Sequence, residues 1–261
     1  MQVGPLIAYW RGVRRMSQLA LATQADVSPR HVSFIESGRS NPSRDMVLLL
    51  ATVLDVPLRE RNTLLNAAGF AAAYRQSELG APQLAAVERA LEAILTQQMP
   101  YPAIVMDRRW NIVSANAGAT RLFSFLLGGT PPPHLLPPNV LRMMFHPDGI
   151  RPHVVRWETA AEGMIQRVHR EAVGAVLDDD LRALVAEILA YPGVPARWAR
   201  PDHAVGLLPI IPIELARDGR RFSYFSTVTT LGTPIDVTAQ ELRIECFFPV
   251  DDETRRAAGC L

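Results

Sequence analysis

The chain has 261 residues, 48% of them hydrophobic and 20% charged, the balance of an ordinary soluble globular protein with room for two domains. All 27 basic residues are arginine, which excludes Schiff-base chemistry on a lysine and with it a pyridoxal-type enzyme. Residues 1–75 carry nine Arg against five acids and residues 76–261 eighteen Arg against twenty-one, so only the first part suits contact with nucleic acid.

The first helix spans about Pro5–Arg15, with Leu6, Trp10 and Val13 on one face. Ser17 caps a second helix, and Met16 meets Leu21 as a hydrophobic staple. Ser28 caps a third, Pro29 takes its first position where a missing N–H costs nothing, and Val27 staples to Val32. Gly38 ends that helix by turning left-handed. Leu19 or Leu21, with Ala22, Val32 and Ile35, faces the core. Arg30, His31, Ser33, Phe34 and Ser37 face outward, and a buried helix would not carry such a face. Two short capped helices joined by a tight turn are the layout of a DNA-reading helix-turn-helix. Pro42-Ser43 opens a fourth helix with Met46, Leu49, Leu50 and Val53 inward, and a fifth runs from about Leu58 to Ala68 and stops at Gly69.

Residues 70–81 form a link, followed by a helix with Leu84, Val87, Leu91, Ile94 and Leu95. That spacing fits a short dimer seam, or a helix packed on a neighbouring domain. Ala103–Met106 and Trp110–Val113 read as strands around the turn Asp107-Arg108-Arg109. A helix from about Ala115 to Leu127 ends at Gly128-Gly129, and a stiff proline-rich loop follows. Helical segments occupy roughly 139–145, 154–176 and 180–190. Leu207–Ala216, Arg221–Thr230 and Glu241–Phe248 read as strands, with turns at Asp218-Gly219 and Gly232-Thr233-Pro234. The last strand alternates, Leu242, Ile244, Cys246 and Phe248 against Glu241, Arg243 and Glu245, so one face is expected buried and the other wet. The expected fold is multidomain. An all-α helix-turn-helix domain of five helices (1–75) precedes a linker helix (76–99). An α+β PAS-like domain (100–261) follows, a five-stranded antiparallel sheet with helices over one face.

The first part resembles the Cro/phage-repressor, or xenobiotic-response-element, class of helix-turn-helix domains. The matching residues are Ser17-Gln18, Leu21-Ala22, Val27-Ser28, Ile35-Glu36, Gly38-Arg39 and Asn41-Pro42-Ser43, with Ala20 where that class usually has Glu. The resemblance implies that Ser28, Arg30, His31, Ser33 and Phe34 lie at base edges in the major groove and that Gln18, Arg39 and Asn41 lie near phosphates. Arg30 is suited to a bidentate contact with guanine. The second part resembles the MmyB-like transcription regulators, through Phe145-His146-Pro147-Asp148-Gly149, Trp157-Glu158, Tyr191-Pro192-Gly193, Phe225-Ser226-Thr227, Thr229-Thr230-Leu231-Gly232 and Glu241–Glu245. Arg156 stands where relatives more often carry Asn. This resemblance implies a buried apolar ligand, a fatty acid or fatty acyl compound.

The middle helices supply apolar and methionine side chains of the kind that line such a pocket, although most of them serve as core in any domain. The ligand tail is expected near Phe123, Met144, Trp157 and Phe225. Its carboxylate is expected near Arg151 or Arg156, with His146 close by. Neither a nucleophile elbow, a dinucleotide fingerprint nor a phosphate loop is present, and the His spacing suggests no metal, so an enzyme is not expected. Asp178-Asp179-Asp180 reads as a solvated helix start. Cys246 reads as core, and with Cys260 it forms neither a disulfide framework nor a zinc motif. The expected protein is a cytoplasmic, homodimeric, DNA-binding regulator with a small apolar ligand, no cofactor and no membrane insertion. Two other readings stay open: a DNA-binding protein whose second domain only dimerises or binds a protein, and an enzyme fused to a DNA-binding head.

Overall fold

The structure, a computed structural model, describes residues 2–172, 179–200 and 212–259. In chain order the helices and strands are α1 (Val3–Val13), α2 (Gln18–Gln24), α3 (Pro29–Glu36), α4 (Arg44–Val53), α5 (Leu58–Ala67), α6 (Ala85–Gln97), β1 (Ala103–Met106), β2 (Ile112–Ala115), α7 (Ala117–Leu127), α8 (Val140–Phe145), β3 (Val154–Val155), α9 (Trp157–Ala172), α10 (Asp179–Leu189), β4 (Ile213–Arg217), β5 (Arg220–Thr229), α11 (Val237–Glu241), β6 (Arg243–Pro249) and α12 (Asp252–Gly259). The anticipated residues 173–176, 207–211, Asp178 and Cys260 lie outside the described residues.

The chain divides into two compact units, one of residues 1–84 with 232–240, the other of residues 85–231 with 241–261. The expected boundaries after 75 and 99 differ from this division. The helix expected as a linker belongs to the second unit, and a segment near the C-terminus belongs to the first.

In the first unit the caps form where Ser side chains precede each helix. Ser17 Oγ accepts from the Ala20 N–H at 3.0 Å, Ser28 Oγ from His31 at 3.2 Å and Ser43 Oγ from Met46 at 3.2 Å. Leu21, Ala22, Val32 and Ile35 are buried, whereas Leu19 is 63% exposed, so Leu21 is the core residue of α2. The inward face of α4 centres on Val47, Leu50 and Ala51; of the expected residues Leu50 is buried, Met46 and Val53 pack on the core partly buried, and Leu49 is exposed. One residue of offset turns a helix by about 100°, and the Val47-Leu50-Ala51-Leu54 stripe buries more completely. Gly4 of α1 lies against α3, and a Cβ there would stand 2.4 Å from the Ile35 carbonyl oxygen.

Gly232-Thr233-Pro234, expected as a simple turn, opens a longer segment, Gly232–Gln240, that belongs to the first unit. Val237 donates to the Arg75 carbonyl at 2.8 Å. The Ser77 N–H and hydroxyl both donate to Asp236 Oδ2, at 3.1 and 2.8 Å, and the Thr238 hydroxyl donates to the Ser77 carbonyl at 2.7 Å. Pro57 at the start of α5 offers no capping side chain, and Gln240 Oε1 accepts from the Leu58 N–H at 2.6 Å in its place.

The second unit is built on a sheet of order β2-β1-β6-β5-β4-β3, every pair antiparallel. Among the described residues it has six strands rather than five. The extra one, Val154–Val155, pairs with β4 at the edge and was hidden in a segment read as helical. Asp218 and Gly219, both at positive φ, join β4 to β5 as the two-residue hairpin turn. Trp110, expected in a strand, sits in the β1–β2 turn at φ 65° and is fully buried. The Asp107 carboxylate accepts from the Arg109 and Asn111 N–H groups and orders that turn.

Helices cover both faces of the sheet, not one. On one side Leu91 and Leu95 of α6 pack on Ala103, Val105, Leu242, Ile244 and Cys246, so these leucines are spent on this sheet. On the other side α7, α8, α9 and α10 bring Leu122, Met144, Phe145, Ile165 and Ile188 onto Met106, Leu215, Phe222 and Tyr224. The face of β6 expected to be wet is therefore roofed, and Glu245 is only 6% exposed.

Replacing Asp236 by Ala removes the acceptor for the Ser77 and Thr238 N–H groups and the Ser77 hydroxyl. Orphaning such part-buried donors costs about 1–3 kcal/mol. The expected outcome is a lower melting temperature of the full chain and faster proteolytic cleavage within 232–240.

Candidate DNA-reading helix and ligand cavity

The position of α3 is set by one buried carboxylate. Glu36, at the helix end, accepts from Arg11 Nε and Nη2 at 2.7 and 2.9 Å and from the Gln18 amide at 2.7 Å. Its side chain is 6% exposed, and the bond raises the Arg11 pKa above its usual value. Three helices, α1, α2 and α3, are tied through this group. Ser28 and Arg30 stand exposed at the N-terminal end of α3, and His31, Ser33 and Phe34 are half-buried along it. The Phe34 ring lies between two guanidinium groups, Arg30 at 5.1 Å and Arg39 at 5.8 Å. Arg39 and Asn41 are exposed beyond the helix. Gln18 lies at the start of α2, but its amide is committed to Glu36.

In the second unit a cavity of about 300 Å³ lies between the sheet and the helical layer. Ile104, Ser226, Glu245 and Phe247 form its sheet side. Phe123, Met143, Met144, Met164 and Arg167 face them from α7, α8 and α9. Among the described residues the walls are apolar side chains except at one corner. There the Ser226 hydroxyl donates to Glu245 Oε1 at 2.6 Å, and Glu245 Oε2 stands 3.9 Å from Arg167 Nη1. The Arg167 guanidinium also lies 4.6 Å from the centre of the Trp110 ring. A cavity this size, apolar with a few convergent polar groups, is the usual form of a small-molecule site.

Residues 87–261 match the family model of the MmyB-like transcription regulator ligand binding domain, and residues 7–61 match a helix-turn-helix model. The chain belongs to the MmyB-like transcription regulators. It is a transcription regulator with a helix-turn-helix DNA-binding domain and a ligand-binding domain. No curated protein matches it. One solved structure that it matches is an RNA-binding light-oxygen-voltage receptor, at 13% identity and a TM-score of 0.29, over 99% of this chain. The chain spans 62% of the length of that receptor, and at that TM-score the likeness carries no argument. No helix among the described residues is long and apolar enough to cross a membrane.

Of the residues expected around the ligand of this MmyB-like regulator, Phe123 and Met144 line the cavity. The others do not. Phe225 pairs with Phe248 at a ring distance of 5.3 Å on the α6 side, because side chains alternate along β5 and its neighbour Ser226 takes the cavity side. Trp157 donates to the Met144 carbonyl at 2.8 Å and packs on Phe145 and Trp198. Arg151 lies 3.8 Å over that indole and donates to the carbonyls of Phe145 and Pro192, at 3.3 and 2.6 Å. Arg156 is exposed, at φ 52°, and pairs with Glu214. His146 ends α8, and its Nδ1 accepts from the Asp148 N–H at 3.0 Å.

The family motifs around these residues hold the helical layer together. Arg142 of α8 donates twice to Glu187 of α10, at 2.8 Å each, and holds that carboxyl below its usual range. Tyr191 also donates to Glu187, and burial together with that carboxylate pushes its pKa up to about 12. His134, His146 and Asp148 bring one possible ligand atom each within 4.8 Å of one another, a grouping that loop spacing conceals in the sequence. The polar corner was missed for a different reason. Glu245 and Arg243 read as a solvated strand face, and nothing in the sequence singled out Arg167. The available signal was the close match of the family motif Glu241–Glu245 to the very strand that forms the cavity floor.

Changing Arg11 to Ala strips Glu36 of its charged partner. The expected loss is about 2 kcal/mol, read as a lower thermal midpoint with a parallel loss of DNA affinity as α3 shifts.

Proposed function

We propose that this chain is a one-component cytoplasmic regulator. Two copies read a two-fold DNA site with paired α3 helices, and the PAS-like second unit senses a compound with one long fatty-acyl chain. The observation that supports the ligand is the apolar cavity with a single polar corner. The observation that supports base reading is that Ser28 and Arg30 stand exposed at the N-terminal end of α3, with His31, Ser33 and Phe34 half-buried beside them, in a part of the chain that carries nine Arg against five acids. One head covers only a few base pairs, so useful affinity requires two on half-sites about one helical turn apart. Ser28, Arg30, His31, Ser33 and Phe34 are assigned to base edges, and Gln18, Arg39 and Asn41 to the phosphate side.

A ligand regulates DNA binding only if it favours one arrangement of the heads over another, since equal affinity for both shifts nothing. The decisive experiment extracts small molecules from the purified, denatured protein for mass spectrometry. It then measures DNA affinity of the stripped protein with and without the recovered compound. A long-chain compound that changes DNA affinity is the expected result. A cofactor-like molecule, or a chain with no effect on DNA binding, counts against the proposal.

The two exposed arginines are expected to separate. Arg30→Ala should relax base preference and cost about 1–3 kcal/mol on the cognate site. Arg39→Ala should weaken cognate and random DNA alike, with a shallower salt dependence. Binding titrations on both DNAs at several salt concentrations distinguish the two.

A further inference from the structure

The polar corner of the cavity bears on the head group of the ligand, and this step rests on the fatty-acyl reading above. Arg151 and Arg156, the groups suited by sequence to hold a carboxylate, are engaged away from the cavity. Among the described residues the charged groups that line it are Arg167 and Glu245. They carry opposite charges.

From these groups we infer that the ligand head is uncharged and both donates and accepts a hydrogen bond: a hydroxyl or a primary amide, not a free carboxylate. Arg167 can only donate and ionised Glu245 can only accept. A group that bridges the two accepts from the guanidinium and donates to the carboxylate. The spacing suits such a bridge. Arg167 Nη1 and Glu245 Oε2 are 3.9 Å apart, beyond the ~2.7–3.2 Å of a direct N–H···O bond. A single oxygen can stand at about 2.8 Å from each of them. The Ser226 hydroxyl holds Oε1 at 2.6 Å, which fixes the carboxylate with Oε2 toward Arg167.

A free carboxylate in the same place would meet a second carboxylate whose side chain is 8% exposed. Like charges at short range in a poorly solvated site repel strongly. The acid would have to displace Glu245 from Arg167 or force one of the two carboxyl groups to take up a proton. A hydroxyl or amide needs neither.

The test compares dodecanol, dodecanamide and dodecanoate as ligands of the full-length, ligand-stripped protein at neutral pH, where the acid is ionised. Binding is read by thermal shift and by calorimetric titration. The alcohol and the amide are expected to bind about ten- to a hundred-fold more tightly than the acid. Glu245→Gln keeps the shape and removes the negative charge, so it should strengthen dodecanoate binding at least severalfold and weaken the alcohol, which loses a charged acceptor. Ser226→Ala keeps the charge pattern and should preserve the order of the three ligands even if each binds more weakly.

Dodecanoate binding more tightly than dodecanol to the unaltered protein overturns the head-group assignment and leaves the cavity reading in place. No gain for dodecanoate in folded Glu245→Gln overturns it too. Failure of all three compounds to bind overturns the fatty-acyl reading and this inference with it.

Discussion

The ligand domain depends on how its central strand, β6, accommodates charge. The strand lies between β1 and β5, with α6 covering one face and the longer helices covering the other. A carboxylate on such a strand has lost its water and must find partners or lose its charge. Glu245 finds them in the Ser226 hydroxyl and in Arg167, which reaches it from α9. That arrangement ties helix to sheet at one corner and leaves the rest of the interface apolar. The cavity and its chemistry follow from that one accommodation. Methionines on α8 and α9 adapt to the space that remains.

The head depends on a similar device. Glu36 gathers Arg11 and Gln18, and through them α1 and α2, around the end of the reading helix. Close approach of α1 at Gly4 completes the seat, since any side chain there would strike the backbone of α3. A helix that reads bases must be held rigidly, and here both contacts lie on its inward side. The outward face is left to Arg30 and Arg39, both held against Phe34. Their stacking keeps flexible cations ordered at modest cost, because a guanidinium on an aromatic face remains available for a stronger partner.

Each of the two units is built from two separate stretches of the chain. The polypeptide passes from one to the other after residue 84, after 231 and after 240. The third and second passages bracket the segment that caps α5 through Gln240 and hydrogen-bonds Arg75 and Ser77. This segment is also the connection between β5, which carries Ser226, and β6, which carries Glu245.

Local chemistry made much of this legible in advance. Ser17, Ser28 and Ser43 cap the helices they precede because a short side chain beside orphan N–H groups acts through its nearest neighbours alone. The Asp218-Gly219 turn belongs to the same class, and so does the alternation along β6. The two domain types could be read because their motifs are local in spacing. What lay on the far side of each element was not local. Alternation separates the two faces of β6 but cannot say that both are roofed, so Glu245 read as wet. Helical period does not fix the rotation of α4 to within one residue, and a β-strand's period of two left Phe225 and Ser226 indistinguishable as cavity residues. Arg151 and Arg156 had the right chemistry for a carboxylate, yet an arginine goes to whatever acceptor the fold brings near it. Those acceptors, Pro192 and Glu214, lie 41 and 58 residues away along the chain. Distances of that kind are set by the packing of whole elements, which is why tertiary structure alone decided where the cavity lies and which charges line it.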